Sequence, residues 1–217
     1  MAQETEIKLR VSDVEAFQSG LKRIGARLAA VGRVHEWNVI FDTPRNDLAK
    51  RGQLLRIRVE TPRNGPKRPK RERKRVVLTF KRPMEQGTEP MVPMHADGGY
   101  KVREEIELEV ADAENLTKIF EGLGMKGWFR YEKYRTTYQL PGSKKWAKGL
   151  WIELDETSIG TFVELEGPPQ AIDRAAKELG FSKHEYIAMN YLSLYLEHCR
   201  AQGIEPRDMM FPEDGNR

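Results

Sequence analysis

Two pairs of acidic residues stand two positions apart in this sequence, Glu4 with Glu6 and Glu164 with Glu166, and Asp155 precedes the second pair. Side chains two residues apart on a β-strand point to the same face, so each pair would project together. Carboxylates held this close repel one another unless a cation lies between them. With one cysteine and four histidines in the chain, the sequence favours a hard divalent ion, Mg²⁺ or Mn²⁺, bound by carboxylates.

Basic residues recur at similar spacing in other segments. They are Arg56, Arg58, Lys81, Arg103, Lys133 and Arg135. Guanidinium and ammonium groups are the donors that phosphate oxygens require. Bases that face acids, with a divalent ion between them, are the components of phosphoryl transfer, in which positioning and charge neutralisation supply most of the catalysis.

Alternation of apolar and charged residues places these groups on predicted β-strands. Eight such segments occur, at 3–11, 34–42, 53–60, 76–82, 101–110, 129–139, 150–156 and 161–166. An ordinary antiparallel sheet with one face in water would also alternate. Here, however, the polar faces hold almost only charged residues, and acids dominate the first strand and the last two while bases dominate three others. This sorting favours an eight-stranded antiparallel closed β-barrel, a tunnel with a charged lumen, whose apolar faces point outward.

Helices are predicted between and after these strands, at 13–25, 113–123, 169–179 and 185–202. They would cover the outside of the barrel, which makes the fold class α+β. Residues 1–203 are expected to form a single domain, with a basic loop at 62–75 and a second loop at 84–100 as insertions. Residues 204–217 are expected to form a C-terminal tail.

The positive charge of the chain is concentrated in one segment. The formal net charge is +4, but residues 62–75 alone carry a net +7, which leaves −3 for the rest. This segment is either a solvated loop or a site that attracts RNA or polyphosphate. No apolar run of membrane-spanning length and no secretory signal are evident, and the single cysteine fits a reducing compartment. The expectation is a cytoplasmic protein without a membrane partner.

The order of the charged motifs resembles that of the CYTH family, the triphosphate tunnel metalloenzymes, over roughly residues 3–195. The matching motifs are Glu4-x-Glu6-x-Lys8, Arg56-x-Arg58, Lys81, Lys133-x-Arg135, Asp155 and Glu164-x-Glu166. The resemblance implies an antiparallel tunnel and a divalent metal. It implies metal binding by Glu4, Glu6, Asp155, Glu164 and Glu166, and a catalytic triphosphate clamp of Arg56, Arg58, Lys81 and Arg135. It also places Lys8 near the attacking or polarised group, and adds Arg103 and Lys133 as further substrate contacts.

Two departures from the family pattern bear on the reaction. Thr157 stands where some members have a second lysine, and Met1, Ala2 and Gln3 replace the His-Phe pair that often precedes the first motif of class IV adenylate cyclases. The expected function is metal-dependent hydrolysis of inorganic tripolyphosphate, thiamine triphosphate or a nucleoside triphosphate. The alternatives are an adenylate cyclase that converts ATP to cyclic AMP and pyrophosphate, and a non-catalytic polyphosphate- or RNA-binding barrel. The sequence leaves open whether Lys8 is a base or a phosphate contact, and whether the protein forms a homodimer.

Overall fold

The computed structural model describes residues 2–63, 74–83 and 99–212. Most of the basic loop predicted at 62–75 and of the loop predicted at 84–100 therefore lies outside the described residues, as do the last five residues of the chain. Among the described residues, no helix is both long enough and apolar enough to cross a lipid bilayer.

Within these residues, eight strands close into an antiparallel barrel, which confirms the predicted fold. The strands are β1 (Ala2–Arg10), β2 (Arg27–Asp42), β3 (Leu54–Pro62), β4 (Arg75–Pro83), β5 (Lys101–Val110), β6 (Lys126–Gln139), β7 (Trp151–Thr157) and β8 (Gly160–Glu166). Their order around the barrel is β1-β5-β4-β3-β2-β6-β7-β8. β2 begins at Arg27 instead of near residue 34, because a register shift between Leu28 and Arg33 lets its first residues keep pairing with β6.

The helices lie on the outside and at one end of the barrel. They are α1 (Val14–Arg23), α2 (Asp47–Lys50), α3 (Ala113–Gly122), α4 (Pro169–Glu178) and α5 (Tyr191–Gln202). The last helix begins at Tyr191 and not at residue 185, because the side chain of Asn190 caps it by accepting a hydrogen bond from the Ser193 amide at 2.8 Å.

The hydrophobic core lies outside the barrel wall. Ile7 and Leu9 of β1 are fully buried in a cluster that α1 and α4 complete, whereas Glu4, Glu6 and Lys8 of the same strand face the lumen. The alternation along each strand therefore puts apolar groups under the helices, where their burial stabilises the fold, and leaves the interior to charges.

Helix α5 packs over one end of the tunnel. Lumen-facing residues are apolar there, and Ile40, Phe129 and Phe162 form a cluster with Tyr191 and Leu194 of the helix. This end, where β7 ends and β8 begins, is called the α5 end below. The change from charged to apolar side chains along the lumen gives the helix a dry surface on which to dock.

The segment after α5 follows the barrel wall. Met209 is buried and forms a parallel bridge with Tyr131 of β6. Its amide donates to the Arg130 carbonyl at 2.9 Å, and its carbonyl accepts from the Glu132 amide at 3.1 Å. The segment predicted as a tail thus lies on β6 as far as it is described.

A glycine turn fixes the end of β8. Gly167 has φ 145°, and a Cβ on it would lie 2.5 Å from the Gly149 carbonyl oxygen. Only glycine permits this close approach. The turn directs the chain into the proline-led start of α4 and holds Glu166, the last residue of β8, at the tunnel rim.

Candidate active site

The lumen contains a cavity of about 210 Å³. Twelve site residues are predicted from the sequence, and eleven of them line this cavity. They are Glu4, Glu6, Lys8, Arg56, Arg58, Lys81, Arg103, Lys133, Arg135, Glu164 and Glu166. The strand registers explain why, because directly opposite residues of antiparallel strands share a face: Lys8 lies opposite Glu164, and Glu4 lies opposite Arg103.

Asp155, the twelfth residue, lies behind the cavity wall and is fully buried. Arg135 donates two hydrogen bonds to its carboxylate, each 2.7 Å long, and Lys133 donates a third of the same length. The hydroxyl of Tyr191 donates a fourth at 2.6 Å. Both carboxylate oxygens are therefore engaged, and the arrangement positions two cavity-lining bases.

Glu36 of β2 supports the basic side of the tunnel from beneath. It is 1% exposed and lies within 3.5–3.7 Å of Lys133, Arg58 and Arg135. Burial raises the pKa of Glu36, but Arg58, Lys133 and Arg135 outweigh burial and hold the pKa well below its usual range. The carboxylate therefore stays ionised and keeps three bases together.

Two arginines on β3, Arg56 and Arg58, line the cavity. Arg56 donates to the hydroxyls of Tyr131 and Thr79, each at 3.1 Å. The buried Nε atoms of Arg56 and Arg58 have no hydrogen-bond acceptor among the described residues. Buried donors without partners cost about 1–3 kcal/mol each, so these two Nε groups oppose folding.

Three lysines form ion pairs with glutamates in the lumen. Lys81 donates to both oxygens of Glu4 at 2.7 and 2.8 Å, Lys101 pairs with Glu6, and Lys8 lies 2.7 Å from Glu164. Burial lowers the pKa of Lys8, but Glu164 and Glu6 outweigh it, so the net shift is upward. A lysine with a raised pKa remains protonated, which suits a phosphate contact and not a general base.

Negative charge is in excess near Glu166. Burial, followed by the neighbouring Glu153 and Glu4, raises the pKa of Glu166 to about 8. Burial also raises the pKa of Glu153 to about 7, against the attraction of Arg135. Among the described residues Glu166 forms no ion pair with a basic side chain. A cation bound here would relieve the repulsion.

The donor chemistry of this acidic side fits a hard divalent ion. Within residues 2–63, 74–83 and 99–212, no three Asp, Glu, His or Cys side chains converge as metal ligands, because Glu4, Glu6 and Glu164 are turned toward lysines. Mg²⁺ is usually held by one or two carboxylates together with substrate phosphates and water. A complete protein cage is therefore not required for the ion that the sequence predicted.

Several lumen residues were not predicted as site residues from the sequence. They are Glu36, Asn38, Lys101, Tyr131, Glu153 and Tyr191. The alternation of polar and apolar residues places Glu36 and Asn38 on the polar face of segment 34–42, and it places Glu153 on the polar face of β7. The sequence pattern could therefore have identified these three residues. Tyr191 gave no such signal, since its place in the tunnel depends on how α5 docks.

Fold and site together define a tunnel barrel whose lumen is lined by arginines and lysines on one side and is rich in carboxyls on the other. The chain belongs to the CYTH domain family, whose profile matches residues 2–189. The resemblance stated from the motifs is thereby confirmed.

Individual relatives are consistent with this membership. A candidate adenylate cyclase of Methanocaldococcus jannaschii is 26% identical over 195 residues, covering 88% of this chain and 97% of the relative. A conserved hypothetical protein of Pyrococcus furiosus is 25% identical, with a TM-score of 0.62 over 88% of this chain and 99% of the other. A candidate adenylyl cyclase of Hippeastrum, described as having a dominant triphosphatase activity, shares the fold at 22% identity, with a TM-score of 0.57 over 94% of this chain and 97% of its own.

Proposed function

We propose that this protein is a divalent-metal-dependent phosphohydrolase that acts on a triphosphate held in the tunnel. The observation that carries the proposal is the sorting of charge within one cavity, with Arg56, Arg58 and Arg135 on one side and the carboxyls around Glu166 on the other. Family membership and the activity described for the Hippeastrum neighbour support it.

In this proposal the basic side binds and aligns the phosphate chain. Arg56 and Arg58 offer guanidinium groups, and Lys8 and Lys81 offer ammonium groups, to phosphate oxygens. Water attacks the terminal phosphorus, the bond to the bridging oxygen breaks, and orthophosphate and a diphosphate leave. Glu4, Glu6, Glu164 and Glu166 are the residues that would hold Mg²⁺ or Mn²⁺. When bound, the ion would neutralise charge on the phosphate oxygens.

A cyclase is the second candidate, favoured by the name of the Methanocaldococcus relative. The same tunnel would then hold ATP so that the ribose 3′-hydroxyl attacks the α-phosphorus, with pyrophosphate as the leaving group. Both reactions require the clamp and the ion, and they differ in which phosphorus faces the nucleophile.

Product analysis separates these functions. The protein is incubated with tripolyphosphate, thiamine triphosphate or ATP, each with Mg²⁺ or Mn²⁺, and products are resolved by phosphorus NMR. Orthophosphate is the expected product. Cyclic AMP with pyrophosphate from ATP would establish the cyclase instead, and binding without turnover would leave a polyphosphate- or RNA-binding barrel, to be tested by deleting the basic loop.

The carboxylate side is tested by Glu166→Gln. This change removes a ligand charge without breaking an ion pair among the described residues, so the metal concentration for half-maximal activity should rise about tenfold or more. Glu114→Gln, on the exposed surface of α3, is the matched control and should leave the metal titration unchanged. A wild-type metal titration for Glu166→Gln would contradict the assignment.

A further inference from the structure

Tyr131 of β6 stands where the lumen changes from charged to apolar side chains. It is buried in the apolar cluster at the α5 end of the tunnel, and it also lines the charged cavity. Its ring stacks on that of Phe129, with 5.8 Å between the ring centroids. The Tyr191 ring of α5 lies 6.3 Å from it. These neighbouring rings hold the phenol in one direction, with its ring among apolar groups.

The backbone of Tyr131 is paired on both edges of its strand. On one edge it lies opposite Asn38 of β2. On the other edge β6 pairs with β7 only from Tyr134 to Tyr138. The segment after α5 occupies the edge before Tyr134, where Met209 forms a parallel bridge with Tyr131. The phenol therefore extends from a part of the wall that is hydrogen-bonded on both sides.

The hydroxyl of Tyr131 has a proton to offer to a ligand in the cavity. Its oxygen accepts a hydrogen bond from Nη1 of Arg56 at 3.1 Å. Among residues 2–63, 74–83 and 99–212, no group accepts the hydroxyl proton in turn. A buried hydroxyl normally donates as well as accepts. This donor is therefore unused in the structure and faces the place where phosphates are proposed to lie.

Tyr131 differs in this respect from the lysines of the lumen. Lys8, Lys81 and Lys101 each form an ion pair with a glutamate. A phosphate oxygen must compete with a carboxylate for each of these ammonium groups. In the part of the chain that the structure describes, the Tyr131 proton has no such competing acceptor.

The charges around Tyr131 make its hydroxyl a good donor to an anion. Burial raises the pKa of Tyr131, but Arg56, Lys133 and Arg58 outweigh burial, so the net pKa lies below its ordinary value. A more acidic phenol donates a stronger hydrogen bond, and a bond to an ionised acceptor is about twice as strong as a neutral one. The same three bases attract phosphate oxygens to this wall.

We propose that Tyr131 is a substrate-contacting residue whose hydroxyl donates a hydrogen bond to an oxygen of the phosphate chain beside Arg56. The proposal rests on the proposed function and adds an uncharged donor to its phosphate-binding side. It involves the phosphate chain alone, so it can be tested with inorganic tripolyphosphate.

The test compares two hydroxyls that accept from the same arginine. Thr79 accepts from Nη2 of Arg56, also at 3.1 Å, but it is fully buried and does not line the tunnel cavity. Tyr131→Phe should raise KM for tripolyphosphate about tenfold or more, as expected for loss of a hydrogen bond to a charged acceptor. Thr79→Val is the matched control, because it removes a partner of Arg56 but no substrate contact, and it should raise KM clearly less. Thermal unfolding should show that each variant is folded.

An Arg56→Ala background separates a direct contact from an effect through Arg56. In that background Tyr131→Phe should still raise KM, because the hydroxyl contacts the substrate itself. The absence of a further rise would mean that the hydroxyl only positions Arg56, and this would overturn the proposal. Equal rises in KM for Tyr131→Phe and Thr79→Val, or an unchanged KM for Tyr131→Phe, would also overturn it.

Failure of the proposed function would give a different result. If the wild-type protein hydrolyses no triphosphate, the dissociation constant of tripolyphosphate, measured by calorimetric titration with Mg²⁺ present, replaces KM in each comparison. Weaker binding by Tyr131→Phe than by Thr79→Val would then support the contact although hydrolysis fails. A wild-type protein that neither hydrolyses nor binds tripolyphosphate would refute both proposals.

Discussion

At the residue scale, the tunnel depends on buried charges that are held by other buried charges. Asp155 and Glu36 do not line the cavity, yet together they hold Lys133 and Arg135 in place. Taking such ions out of water costs several kcal/mol per ion unless hydrogen bonds compensate. The four hydrogen bonds on Asp155 supply that compensation and fix the geometry of the clamp.

Tyr191 contributes one of those bonds, and we expect it to be a positioning residue. Burial, followed by Asp155, raises the pKa of Tyr191, so its hydroxyl stays protonated and donates. The Tyr191 ring also lies 4.5 Å from the Lys8 ammonium and 4.9 Å from that of Lys133. Tyr191→Phe keeps the ring but loses the hydrogen bond, so kcat/KM for the best triphosphate should fall about tenfold, the order expected for a bond to a charged group.

The control for this prediction is Tyr195→Phe, one turn along the same helix. The Tyr195 hydroxyl donates to the Asp208 carbonyl and accepts from the Arg207 amide, and neither group lines the tunnel cavity, so its loss should not change kcat/KM. Separating kcat from KM, with thermal unfolding measured in parallel, distinguishes positioning from stability. Equal kinetic effects of the two substitutions would argue against a role for Tyr191.

At the element scale, each strand has two functions at once, because one face packs under helices and the other forms the tunnel. Leu9 tests the independence of these faces. The Leu9 side chain is fully buried between the barrel wall and the helices that cover it. Leu9→Ala should therefore lower the free energy of unfolding by about 2–5 kcal/mol. KM for the triphosphate, measured well below the unfolding temperature, should stay near the wild-type value.

Leu123→Ala is the matched substitution, since Leu123 is 72% exposed. It should change stability by less than about 0.5 kcal/mol in a denaturant titration. A large change in KM for Leu9→Ala without loss of stability would contradict the separation of the two faces.

The same two-faced design explains what the sequence could predict. Period-two alternation identified the strands and placed Glu4, Glu6 and Lys8 on one face, and the sorting of charge by strand indicated that this face was a lumen. Tyr191 was out of reach, because helical spacing does not show that α5 covers the tunnel end. Asp155 was assigned to the right strand and face, but only the packing of Tyr191 against it shows that it is buried behind the cavity.

At the scale of the whole molecule, the acidic side of the lumen should make stability depend on pH in the absence of divalent ions. The pKa values of Glu153 and Glu166 are raised to about 7 and about 8 from an ordinary value of 4.5. At pH values between the ordinary pKa and the raised ones, the folded protein binds more protons than the unfolded chain. The free energy of unfolding therefore falls as pH rises from about 5 to about 8. Carboxyls with lowered pKa values, such as Glu6 and Glu36, act in the opposite direction but titrate only at more acidic pH.

Thermal unfolding in EDTA, followed across this pH range, should therefore show a midpoint that falls steadily toward alkaline pH. Glu166→Gln removes the group with the higher of the two pKa values and should flatten the fall, whereas the exposed Glu114→Gln should not. Mg²⁺ or Mn²⁺ should restore the midpoint most strongly at alkaline pH, because ionised carboxylates bind the ion and binding to the folded state alone stabilises it. A midpoint that rises with pH in EDTA would mean that the repulsion around Glu166 is relieved by groups other than a metal ion.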